Sequence, residues 1–154
     1  MTADPLQQFS DQLNRLDPTN DAFVLHVDEL VEQTPDETLQ NAYPAIFAFF
    51  EKHPLEYCGL PGTLVHMIED YYPIYVSELI SSVARAPSVN CVWMVNRILN
   101  SKIDGDLRDR LIESLVIASQ NDNAPSEVRE EAAGCAQRQT ENGGLPSVAT
   151  EAAS

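Results

Sequence analysis

Apolar residues recur along this chain at intervals of three and four, which is the spacing of one face of an α-helix. The pattern is clearest over residues 73–100, where the single proline Pro87 separates two predicted helices. The first predicted helix, 73–85, carries an inward stripe of Val76, Leu79, Ile80 and Val83. The second, 87–100, is apolar on nearly every side, so we expect neighbouring helices to cover it.

The same period predicts further helices and no strand. Their starts fall near residues 5, 21, 35, 61, 73, 87, 104 and 125, each beside a proline or an acidic residue that suits a helix start. Thr34 and Glu37 form the pattern of a capping box, with Thr34 as the N-cap. The helix that follows is predicted to run to Lys52, and Pro44 should kink or split it.

Short proline-containing turns between helices indicate stacked antiparallel hairpins, as in helical solenoids, with a compact irregular bundle as the alternative. The chain has 154 residues, which suits one domain. We expect a single helical domain of about eight helices over residues 1–140. Residues 141–154 contain two glycines, a proline and a run of small residues, and are predicted to be a flexible, disordered tail.

Charge narrows the range of partners. The chain has 24 acidic residues against 9 lysines and arginines, a net charge of −15, and the acids are concentrated in residues 1–40 and 104–154. Such a surface repels phosphate, which argues against direct binding to nucleic acid or to anionic membranes. It would attract a basic protein, although the charge is equally explained by solubility alone.

The predicted location is the cytoplasm. No apolar run reaches the roughly 18 residues that span a bilayer, and the first twelve residues lack the pattern of a signal peptide. Cys58, Cys91 and Cys135 have no paired spacing, which fits a reduced compartment.

No pattern for catalysis, for a metal or for a cofactor emerges from the reactive side chains. His53, Cys58 and His66 lie close in sequence, but their spacing matches no zinc motif, and no third group orients a Cys58–His66 pair. The Gly59-Leu60-Pro61-Gly62 stretch is too short for a phosphate loop and lacks its lysine. We therefore predict no enzyme activity, no metal ligands and no cofactor.

A possible contact surface is indicated by Glu69-Asp70-Tyr71-Tyr72 at the end of a predicted helix. Carboxylates at a helix C-terminus oppose the helix dipole, which hints at a local partner, and tyrosine is favoured at interfaces. Most aromatic residues between 43 and 75 are expected to fill the core. The predicted partner-binding residues are Glu29, Glu32, Glu69, Asp70, Tyr71 and Tyr72.

The segment 74–100 carries a family resemblance. It contains Ser-Glu-Leu-Ile-Ser-Ser-Val, then Ala-Pro-Ser-Val-Asn, then Val-Trp-Met-Val-Asn-Arg-Ile-Leu-Asn. In these stretches, and over about residues 20–138, the chain resembles the HEAT-like helical immunity proteins that protect bacteria against polymorphic or contact-delivered toxins. The resemblance implies a HEAT-like α-α superhelix in the cytoplasm that binds and masks a cognate toxin without catalysis, since the family has no fixed catalytic set.

The alternative to an immunity protein is a general scaffold or adaptor domain that binds a peptide or protein partner. Both readings leave the identity of the partner and the oligomeric state open. A small helical enzyme, the third possibility, requires converging titratable groups that the sequence does not identify.

Overall fold

The computed structural model describes residues 4–56 and 62–142, which form α-helices and turns without a strand. The helices are α1 (Pro5–Asn14), α2 (Phe23–Gln33), α3 (Asp36–Leu39), α4 (Tyr43–Lys52), α5 (Thr63–Glu69), α6 (Val76–Arg85), α7 (Val89–Asn100), α8 (Gly105–Ser119) and α9 (Ser126–Asn142). The predicted all-helical class is confirmed. The described ranges hold nine helices against about eight predicted.

The additional helix arises at Pro44, which splits the predicted 35–52 helix into α3 and α4. Pro44 lies in the first turn of α4, where its missing N–H breaks no helical hydrogen bond. The predicted capping box at the start of α3 is wrong. Pro35 occupies the N-cap position, and the Thr34 hydroxyl instead donates to the Leu30 carbonyl at 2.6 Å, at the end of α2.

The starts of α6 and α7 also differ from the prediction. Helix α6 begins at Val76 and not at residue 73, because the amides of Ile74 and Val76 donate to carbonyls three residues back and form turns. Helix α7 begins at Val89. The Ser88 side chain caps it by accepting a hydrogen bond from the Cys91 amide at 3.2 Å, a cap that the sequence analysis did not identify.

The last helix, α9, extends through Asn142, so the first two residues of the predicted 141–154 tail are helical. Residues 143–154 lie outside the described ranges. Val128, Ala132 and Cys135 of α9 recur at intervals of four and three, and all three are buried.

Helix α4 connects the first helices of the chain with the later ones. It packs against α1, α6 and α7, and α2 packs on both α1 and α5. Helix α6 also packs on α8, and α7 on α9. These pairings are compatible with both stacked hairpins and an irregular bundle, so the hairpin stack stays a prediction.

Helix α7 is covered on most sides, as predicted. It contacts α4, α6, α8 and α9, and eight of its twelve residues are buried. Trp93 is partly buried against the core.

Burial raises the pKa of the Cys91 thiol to about 11, and burial likewise raises that of Cys135 to about 11. Cys91 on α7 and Cys135 on α9 thus serve as small apolar residues of the core. Within residues 4–56 and 62–142, no helix is both long and apolar enough to cross a membrane.

A matched pair of leucine substitutions tests this packing. Leu79 in α6 is fully buried, whereas Leu25 in α2 is 59% exposed. Leu79→Ala should lower the free energy of unfolding by about 2–5 kcal/mol, because it removes buried methyl groups and leaves a cavity. Leu25→Ala should change it by about 0.5 kcal/mol or less. Urea denaturation followed by circular dichroism measures both, and equal losses would contradict the assigned core.

Candidate binding site

An open cleft of about 490 Å³ lies where the turn between α5 and α6 meets the C-terminal end of α7. We call it the tyrosine cleft. Its lining residues are Glu69, Tyr72, Tyr75, Arg97, Ile98, Asn100 and Ser101. Its walls therefore come from three parts of the chain that the fold brings together.

Two tyrosines form one wall of the tyrosine cleft. Tyr75 is 2% exposed and contacts the Phe47 ring of α4 edge-on, with ring centroids 6.4 Å apart. Tyr72 is 47% exposed and meets Tyr75 at 6.0 Å, again edge-on. Burial, with a further contribution from Glu69, raises the pKa of the Tyr75 phenol far above its usual value, so this hydroxyl stays neutral. Tyr75 is thus anchored in the core, while Tyr72 presents its ring to solvent.

A bidentate ion pair forms another wall. Arg97 Nε donates to Glu69 Oε2 at 2.8 Å, and Arg97 Nη2 donates to Glu69 Oε1 at 3.0 Å. The guanidinium carbon also lies 4.7 Å from the centroid of the Trp93 ring. The hydrogen bonds to Glu69 raise the pKa of Arg97. The local partner of a carboxylate at the end of α5 is therefore Arg97, which compensates its unfavourable position against the helix dipole.

An amide cluster fixes the third wall. Gln139 of α9 donates from Nε2 to Asn96 Oδ1 at 2.8 Å and to Asn100 Oδ1 at 2.7 Å. Arg108 of α8 donates to the Gln139 carbonyl at 2.9 Å. These bonds hold Asn100 at the cleft. The sequence analysis missed them because residues of three different helices take part and no local pattern connects them.

The six predicted partner-binding residues do not all line the same cleft. Glu69 and Tyr72 line the tyrosine cleft, and Asp70 is exposed at the end of α5. Tyr71 is half-buried against the core. Glu29 lines a separate groove of about 310 Å³ between α1 and α2, and Glu32 is exposed on α2.

Tyr71 lies in an acidic environment. Burial raises the pKa of its phenol, and the carboxylates of Asp36 and Asp70 raise it further. Neither carboxylate forms an ion pair within residues 4–56 and 62–142. The surface around Tyr71 therefore carries two carboxylates that no ion pair among the described residues compensates.

Of the reactive residues His53, Cys58 and His66, the structure describes the two histidines. His53 packs against the Phe49 ring, with ring centroids 4.7 Å apart, and His66 Nδ1 lies 3.8 Å from Glu69 Oε1. Cys58 and residues 59–61 lie outside the described residues. In the part of the chain that the structure describes, no group of three or more His, Cys, Asp and Glu side chains is arranged to hold a metal.

Comparison of the chain with protein-family models, with curated proteins and with solved structures finds no match. The resemblance to immunity proteins consequently stays a prediction. The tyrosine cleft combines an exposed ring, a buried apolar floor and a closed ion pair.

A double-mutant cycle tests the ion pair. Glu69→Gln and Arg97→Gln, alone and together, should give a coupling energy of about 0.5–1 kcal/mol that falls with added salt, because the pair is only partly buried. Glu78 bonds to Arg85 and serves as the control. Glu78→Gln should show no coupling to Arg97→Gln. Equal coupling in both cycles, measured by urea denaturation, would argue against the assigned pair.

Proposed function

We propose that this chain is a protein-binding domain that neutralises a cognate bacterial toxin by covering it, without a chemical step of its own. The observation that carries the proposal is the exposed apolar rim of the tyrosine cleft. Tyr72 lines the cleft and is 47% exposed, and Ile74, two residues further along the same turn, is 56% exposed. Exposed aromatic and aliphatic side chains beside a cleft are typical of the central part of protein interfaces.

Charge supports a basic partner. Glu29, Glu32 and Asp70 are exposed and form no ion pair within the described ranges. Together with the net charge of −15, they favour encounter with a positively charged protein. On this proposal, charge accelerates association and the apolar rim holds the complex.

The resemblance of residues 74–100 to immunity proteins supports a toxin as the partner and the cytoplasm as the place of binding. A scaffold or adaptor domain is the alternative. The observation that favours it is the volume of the tyrosine cleft, about 490 Å³, which is enough to receive side chains of a peptide.

Co-expression tests the proposal directly. The toxin candidates are basic proteins encoded beside this gene. In the family that the chain resembles, the immunity gene usually lies next to the gene of its toxin. Cells that express such a toxin should survive when they also express this chain, and the two proteins should purify as a complex. The association rate should fall steeply with added salt.

The variant for this experiment is Tyr72→Ala, which should speed dissociation by about tenfold or more if Tyr72 is an interface anchor. Val116→Ala is the control, since Val116 is 39% exposed on α8 and does not line the cleft. No rescue and no complex with any adjacent basic toxin would refute the toxin proposal. A salt-independent association rate would refute the role of charge.

A further inference from the structure

We propose that the tyrosine cleft binds a short basic segment of the partner, with one aromatic side chain inserted in the cleft and lysine or arginine on either side. This inference rests on the proposed protein-binding function and deepens it by specifying the chemistry of the ligand.

The shape and lining of the cleft favour an aromatic anchor. Its floor includes Tyr75 and Ile98, which are 2% and 6% exposed. The Tyr72 ring is 47% exposed and is held edge-on against Tyr75 at 65°, so it offers an aromatic surface that is already fixed in position. Aromatic pairs prefer such offset or edge-on contacts. A volume of about 490 Å³ leaves room for one large ring and part of its main chain.

Polar groups at the rim are placed to bind the main chain of such a segment. Asn100 uses its Oδ1 to accept from Gln139, and its Nδ2 donates no hydrogen bond within the described part of the chain. The Ser101 hydroxyl donates to the Ile98 carbonyl at 2.5 Å, which leaves its oxygen lone pairs as acceptors. One fixed donor and one acceptor therefore stand beside the apolar floor.

Charge around the cleft selects a basic segment. Arg97 is neutralised by its bidentate bond to Glu69, so it adds little net positive charge. Asp70 is exposed next to Glu69, and the exposed Asp36 carboxylate acts on the neighbouring Tyr71; neither has an ion pair among the described residues. Lys102, which follows Ser101, is an opposing charge that also lacks an ion pair in those ranges. The two carboxylates outnumber it and the chain carries a net charge of −15, so a basic segment is favoured, and replacing Lys102 with a neutral residue should strengthen that preference.

Three capped tripeptides serve as probes: acetyl-Lys-Trp-Lys-amide, acetyl-Glu-Trp-Glu-amide and acetyl-Lys-Ala-Lys-amide. Amide NMR spectra at low salt should show saturable shifts at residues 98–101 with Lys-Trp-Lys, at a Kd on the order of 1 mM. Glu-Trp-Glu should bind at least about threefold more weakly. Lys-Ala-Lys should give no saturable shift, because it lacks the anchor.

Variants separate the two contributions. Tyr72→Ala should weaken Lys-Trp-Lys binding by about tenfold, and Asp70→Asn by about twofold to threefold. Lys102→Asn should strengthen it by a similar factor, and asparagine tolerates the φ of 64° at this position. Leu25→Ala, on α2, is the control and should leave the affinity unchanged.

Two outcomes would overturn the inference: no saturable shift at residues 98–101, or equal affinity for the basic and acidic tripeptides. These results are distinguishable from failure of the proposed function. A toxin bound equally by the native chain and by Tyr72→Ala would refute the cleft while leaving neutralisation intact. Specific Lys-Trp-Lys binding without rescue from any toxin would support the cleft and refute neutralisation.

Discussion

Burial of helix α7 is the constraint on which the remainder of the structure depends. Its apolar residues cover almost the whole circumference, so it is stable only with neighbours on several sides, and α4, α6, α8 and α9 supply them. Its N-terminal end is tied to the chain before α5, since Asn90 donates to the Glu56 carbonyl at 2.8 Å. The burial of α7 therefore determines the positions of helices from both halves of the chain.

The tyrosine cleft follows from this arrangement because the last turn of α7 forms one side of it. Ile98 packs inward, while Arg97 reaches Glu69 at the end of α5 and Asn100 is held by Gln139 of α9. The side formed by the two tyrosines is equally fixed, since Tyr75 packs on Phe47. A surface built on packed helices loses little conformational entropy on binding, which favours recognition by contact.

Helical periodicity was sufficient to predict the class and the inward face of α6, as Leu79 and Val83 show by their burial. Helix ends were less predictable, because competing local hydrogen bonds decide them: the Thr34 hydroxyl bonds backward to α2 and not forward to α3. Glu69 and Tyr72, which line the cleft, were among the residues predicted from the sequence to contact a partner. Arg97 and Gln139 were not, because their partners are distant along the chain and only the fold brings them together.

Native-state hydrogen exchange tests the central claim, the burial of α7, most directly. If α7 is the helix on which the others depend, its interior amides from Val92 to Ile98 should exchange only through global unfolding. Their opening free energy should then equal the free energy of unfolding from urea denaturation, while α1 should open at lower cost. Exchange of the α7 amides at a lower free energy than those of α1 would contradict the account.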